Sequence, residues 1–175
     1  MAPDTFVMNL MFKYLLLLPI VFLTSACEAG SNNGGSDANL TDAEIDQQSK
    51  YMQQAFKETP YAALVKVISV KTIDIPDDDP TDNYAEQKLV YQVIVIETFR
   101  GEKRSQLSYD MYIEKGDSVE SGSEPFIITL CQSKDGFYWP GVGASFSADK
   151  RLIAIAKKLA GQLDNKQISF TGCDE

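Results

Sequence analysis

Histidine is absent from this sequence of 175 residues. Without an imidazole, the chain cannot form a Ser-His-Asp or Cys-His catalytic unit, and it cannot bind a metal through histidine. We therefore expect a protein that is not an enzyme, with no catalytic residues and no cofactor.

Positive charge is also scarce, because 16 Lys and Arg stand against 25 Asp and Glu, for a net charge of −9. An acidic surface repels phosphate backbones, and no local basic stripe offsets it. Nucleic acid is not an expected partner.

The sequence lacks an apolar run long enough to cross a bilayer, which takes about 20 residues as a helix. The longest run covers residues 14–23, follows Lys13 and is interrupted by Pro19. A basic residue, a short apolar segment and the small residues after it are typical of a secretory signal peptide. We predict that residues 1–26 are this signal peptide.

The end of this segment reads Leu23-Thr24-Ser25-Ala26-Cys27 and resembles the lipobox of bacterial lipoproteins. The resemblance implies that Cys27 is acylated and becomes the mature N-terminus, so that lipid attaches the protein to a membrane. Glu28, where inner-membrane lipoproteins carry aspartate, implies the outer membrane of a Gram-negative bacterium. The alternative is an ordinary signal peptide cleaved nearby.

Cysteine is rare, with three residues in the chain. If Cys27 is acylated, Cys131 and Cys173 remain as a pair in an oxidising compartment, where disulfides persist. We predict a disulfide between them, and the alternative is two free buried thiols.

The remainder divides into a lipidated flexible tether, residues 27–40, and one globular domain, residues 41–175. The tether has no apolar residue larger than alanine before Leu40, so it cannot bury enough surface to fold. Thr41 and Glu44 have capping-box spacing and predict a helix to about Lys57. Its apolar stripe is either a core face or a surface for a partner; the stripe comprises Ile45, Met52, Ala55 and Phe56.

The central sequence changes to a period of two, which indicates strands. Residues 89–99 are apolar on both faces, which predicts a helix covering one of them. Asp135-Gly136 is a hairpin signal, and a second helix is predicted from Ala148 to about Leu163. The predicted strands are residues 63–75, 89–99, 106–114, 126–131 and 137–139. This order predicts an α+β fold, mainly antiparallel β: a small barrel of about five strands with an N-terminal and a C-terminal helix.

About half of the chain also resembles the OB-like barrel of the netrin-module and tissue-inhibitor-of-metalloproteinases superfamily. The matching residues are Val65 and Val67, the alternating run from Tyr91 to Phe99-Arg100-Gly101, Phe126-Ile127-Ile128, and Gly136-Phe137-Tyr138. The resemblance implies the barrel fold. It does not extend to the inhibitory chemistry, which needs a free N-terminal cysteine.

Three groups of side chains are candidates for chemistry. Five carboxylates lie within residues 74–82, and they form either a Ca²⁺ site or a solvated loop. Glu97, Glu114 and Asp110 are either a glycosidase acid and base or ordinary surface carboxylates. The aromatic residues Phe137, Tyr138 and Trp139 form either a binding surface or part of the core.

These observations favour a non-enzymatic envelope lipoprotein whose barrel binds a protein or an envelope component. The alternative is an inhibitor of a secreted or host hydrolase, because an acidic protein suits a basic target such as lysozyme. An enzyme that uses carboxylates alone ranks last.

Overall fold

The computed structural model describes residues 40–76, 86–117, 122–163 and 169–173. Two helices and six strands lie within these ranges. In chain order they are α1 (Asp42–Glu58), β1 (Tyr61–Asp74), β2 (Glu86–Arg100), β3 (Gln106–Glu114), β4 (Phe126–Ser133), β5 (Gly136–Tyr138), β6 (Ser145–Ser147) and α2 (Lys150–Ala160).

Five of the strands close into a small barrel, in the order β1-β2-β3-β5-β4, with β4 pairing back onto β1. The β1–β2, β2–β3, β1–β4 and β4–β5 pairs are antiparallel, whereas β3 and β5 are parallel. The predicted barrel is therefore present, and its sheet is mixed. The parallel pair arises because β5 returns along β4 through the tight turn at Lys134-Asp135 and then meets β3 on its other edge.

Alternation along β1 divides the hydrophobic core into two layers. Ala63 and Val65 point into the barrel, whereas Ala62 and Leu64 belong to the layer beneath the helices. The stripe of α1 packs into this second layer, so its interpretation as a core face is correct; Ile45, Met52 and Phe56 are buried there. From α2, Leu152 and Ala156 enter the same layer.

Side-chain hydrogen bonds cap the first turn of each helix. Thr41 Oγ1 accepts a hydrogen bond from Glu44 N, and the Glu44 carboxylate accepts one from Thr41 N at 2.7 Å. Asp149 Oδ1 likewise accepts from Arg151 N at 2.7 Å. These bonds satisfy amides that a helix leaves without partners at its start.

Candidate functional site

The barrel has an opening in its wall because β5 is only three residues long. It pairs with β3 at Tyr109 and Asp110, and Trp139 N then donates to Asp110 O at 2.8 Å. The backbone of the next residue, Pro140, faces β4, and because proline has no N–H the pairing of β5 with β4 ends at Tyr138. Gly141 and Gly143 then adopt positive φ angles of 120° and 91°, which turn the chain away from β3.

The chain returns as β6, which continues along β4 where β5 stopped. β4 pairs on this edge with β5 at residues 131–133 and with β6 at residues 126–128. Within the described ranges, β3 pairs with β2 and β5 but not with β6. The wall is therefore open between the end of β3, from Met111 to Glu114, and β6. We call this opening the seam.

A cavity of about 720 Å³ lies at the seam and reaches into the barrel interior. Ligand cavities in proteins have volumes of this order, and the mouths of β-barrels are one of their usual places. Tyr91 and Tyr109 stack inside it with ring centroids 4.9 Å apart. Other residues of its apolar wall are Leu89, Met111, Ile128 and Trp139.

The mouth of the cavity is polar and acidic. Gln48 Oε1, on α1, accepts a hydrogen bond from Ser147 N at 3.0 Å and so connects the helix to β6. Among the described lining residues only Asp117 and Glu124 carry charge, and both are exposed carboxylates. The site combines an apolar interior with negative charge at the entrance, which suits a ligand with an apolar part and a cation.

The three aromatic residues proposed as a binding surface do not share one environment. Phe137 packs against the barrel core, where its ring lies 4.9 Å from that of Tyr61. Trp139 also packs on this core and lines the cavity. Tyr138 belongs to neither core layer. Trp139, the single tryptophan of the chain, is therefore the member of the run that reaches the candidate site.

Most of the cavity lining was not identified from the sequence. Met111 and Ile113 share the apolar face of the predicted strand 106–114, which indicates core residues and not a ligand site, and β6 was not predicted. The Trp139-Pro140-Gly141 run was the available signal, because proline followed by glycine indicates the end of a strand.

The predicted pairing of Cys131 with Cys173 is present, with their Cα atoms 5.4 Å apart. It holds the C-terminal segment, residues 169–173, against the barrel on the side of the helices. Gly172 N donates to Glu58 O at 3.1 Å, at the end of α1. Phe170 lies beneath the Arg100 guanidinium, whose carbon is 4.9 Å from the ring centroid.

The three carboxylates considered as an acid and base are dispersed. Glu114 lies opposite Glu86 at the start of β2, and Glu97 lies eleven residues further along that strand, roughly 35 Å at about 3.3 Å per residue. Glu97 pairs with Lys157, and Asp110 pairs with Lys88 at 2.5 Å. The hydrogen bond to Asp110 raises the pKa of Lys88. Glu97 and Asp110 therefore take part in separate ion pairs.

The acidic stretch of residues 74–82 lies outside the described residues from Asp77 onward. Asp74 is described, and its Oδ1 accepts a hydrogen bond from Gln87 Nε2 at 2.7 Å. In the part of the chain that the structure describes, no three Cys, Asp or Glu residues are arranged to bind a metal ion.

Cys27 and the predicted signal peptide also lie outside the described residues. None of the helices in the described ranges has the length and apolar character needed to span a membrane. Comparisons of the chain with protein-family models and with curated protein sequences gave no match.

Proposed function

We propose that this protein is a non-enzymatic lipoprotein of the bacterial envelope whose barrel binds a protein or an envelope component in the cavity at the seam. The observation that carries the proposal is the cavity itself. About 720 Å³ of mostly apolar space stands open in the wall of a small barrel. An open, mostly apolar cavity of this size at the mouth of a small barrel is typical of a ligand site.

The proposed anchor is the acyl group on Cys27, followed by a spacer of residues 28–39. Replacing Cys27 with serine removes the thiol that takes the lipid, and we expect the protein to leave the membrane fraction. Thr24→Leu is a matched control because it brings the segment closer to the usual lipobox and should leave the protein with the membranes. Sedimentation together with metabolic labelling by a fatty acid measures both. A Cys27→Ser protein that still sediments with membranes and carries label would contradict the proposal.

We infer further that the barrel is OB-like. The order β1-β2-β3-β5-β4-β1 and the parallel β3–β5 pair support this assignment, as does the position of the matching strands named above. In such folds different binding functions are built on the same barrel, so the fold alone does not identify the ligand.

The experiment that tests the cavity compares two isoleucines in the full chain. Ile113 lines the cavity, whereas Ile94 is 44 % exposed on the outer face of β2. A photoreactive phenylalanine analogue at position 113 should give a cross-linked adduct in the native envelope. The same analogue at position 94 should not. The intact mass of the purified chain then gives the mass of the adduct. Equal adducts at both positions, or none at either, would contradict the proposal.

The second candidate is inhibition of a secreted or host hydrolase. The net charge of −9 and the two carboxylates at the cavity mouth favour a basic target. An activity panel containing lysozyme and metalloproteases tests it, with Asp117→Asn/Glu124→Gln as the comparison. Inhibition by the native chain and its loss in this variant would place the protein in this class.

A further inference from the structure

We propose that the open edge of β3 binds an extended, basic and apolar segment of a partner protein, which pairs with the Tyr112 backbone and fills the cavity with its side chains. The proposal rests on the binding role proposed above and specifies its ligand. The segment would take the place that a longer β5 would occupy in the barrel wall.

The backbone of Tyr112 is the part of the edge that is open to pairing. Successive residues of a strand direct their N–H and C=O groups to opposite edges. Because Asp110 O accepts from Trp139 N on the β5 side, Tyr112 directs its groups to that side as well. Glu114, the next residue on this edge, already accepts from Asp117 N at 3.1 Å. Within the described ranges, no backbone group pairs with Tyr112 on this edge.

The cavity lies directly beside this edge. Met111 and Ile113, the neighbours of Tyr112, line it from β3. A strand added next to β3 would continue the barrel wall, and every second side chain of it would point into the interior. Backbone pairing and insertion of apolar side chains would therefore occur together, which is how strand addition combines affinity with specificity.

The negative charge at the cavity entrance favours a partner segment that is basic. Asp117 and Glu124 are both carboxylates, and Lys115 in the same turn is not part of the described lining. A segment with Lys or Arg beside its apolar residues would be attracted, and an acidic one would be repelled. The same argument disfavours a second copy of this chain, because its net charge is −9.

A synthetic peptide tests the inference with the full chain held in zwitterionic phosphatidylcholine nanodiscs. The probe alternates valine and lysine over eight residues and has blocked ends. Fluorescence of Trp139 reports binding at the cavity, and amide exchange at Tyr112 reports pairing. We expect binding at least tenfold tighter than that of the matched valine-glutamate peptide, with the difference shrinking at high salt. We also expect slower exchange at Tyr112 in the complex.

Two variants and one modified peptide separate the parts of the proposal. Ile113→Lys places a cation in the cavity and should abolish binding of the lysine peptide, whereas Ile94→Lys, the same change on the outer face, should not. Two further peptides carry methyl groups on alternate backbone nitrogens, one on the odd and one on the even positions. The peptide whose methylated nitrogens face β3 cannot donate to the strand edge and should bind at least tenfold more weakly than the other.

The results distinguish a failure of this inference from a failure of the proposed function. Equal binding of the lysine and glutamate peptides, unchanged exchange at Tyr112, or self-association of the chain at the seam would overturn this inference. If the photo-cross-link from position 113 then still forms, the cavity binds another ligand and the proposed function stands. If that cross-link is absent as well, both fail.

Discussion

On the side of the barrel covered by the helices, Met52 and Phe56 have no exposed surface, and the disulfide holds the C-terminal segment beside them. At the seam, Met111, Phe126 and Trp139 are equally apolar but only partly buried, and they surround open volume. The two regions have similar residue types, so composition does not explain the difference. The helix-covered side is packed for stability, whereas the seam retains apolar surface that packing alone would have removed.

The largest expected effect comes from truncating an aromatic residue on each side. Phe56→Ala leaves a cavity where a fully buried ring stood, and we expect a loss of about 3–5 kcal/mol in the free energy of unfolding. Phe126→Ala removes a ring that already borders the cavity, so the decrease in the free energy of unfolding should be clearly smaller in this variant. Urea unfolding of both variants, followed by far-ultraviolet circular dichroism, measures the difference. Equal losses would show that the seam is packed as tightly as the helix-covered side.

Reduction of the disulfide should also destabilise the protein. The bond joins positions 42 residues apart, and the loop-entropy estimate for this separation is about 4 kcal/mol. We expect the melting temperature to fall by roughly 10 °C on reduction. A titre of two free thiols in the unreduced Cys27→Ser protein would contradict the pairing. Peptide binding at the seam should persist at temperatures where the reduced protein remains folded.

Several features of the helix-covered side could be predicted from the sequence because each depends on local pattern. The capping box of Thr41 and Glu44 is formed, and Cys131 and Cys173 are joined. The prediction that a helix covers the second face of β2 was wrong along part of the strand, where Ile94 and Ile96 are 44 % and 51 % exposed. Where a helix lies across a sheet depends on contacts distant in sequence, which periodicity does not contain.

The seam was less accessible to sequence reasoning for a different reason. β6 contains a single apolar residue, Phe146, so it carries almost no strand pattern. A cavity is space that no side chain fills, and a pattern of residues does not show which space remains empty. Pro140 was the one local sign that the pairing of β5 would end.

Arg100 connects the elements of the helix-covered side, and its replacement should have an intermediate effect. Its guanidinium is buried, donates to the Phe56 carbonyl near the end of α1 and stacks on Phe170. Arg100→Met retains much of the apolar stem but leaves that carbonyl without this donor. We expect the free energy of unfolding to fall by about 2 kcal/mol, because hydrogen bonds that involve a charged group contribute about this much. The loss should appear in urea unfolding, with binding at the seam unchanged in the folded variant.

The smallest expected effect is a pH dependence of local stability at the start of α1. This helix packs in the helix-covered layer and also contacts the cavity mouth through Gln48. Hydrogen bonds from Thr41 N and Oγ1 lower the pKa of the Glu44 carboxyl in the folded state. A lowered folded-state pKa adds stability that is present above the pKa of the unfolded chain and is lost as the pH falls through the folded value. Gln48, one turn along the helix, holds β6 through Ser147 N at the cavity mouth.

Acid should therefore loosen the first turn of α1 and, with it, the mouth of the cavity, before it affects the buried layer around Phe56. Amide exchange measured at pH 7 and at pH 3, each divided by the intrinsic exchange rate at that pH, should show lower protection at Glu44 and Ser147 in acid, with little change in protection at Met52. Glu44→Gln keeps the size of the side chain but removes its titration, and the loss of protection at Ser147 in acid should shrink. A Ser147 amide that responds to pH equally in both proteins would show that the two regions are not connected through α1.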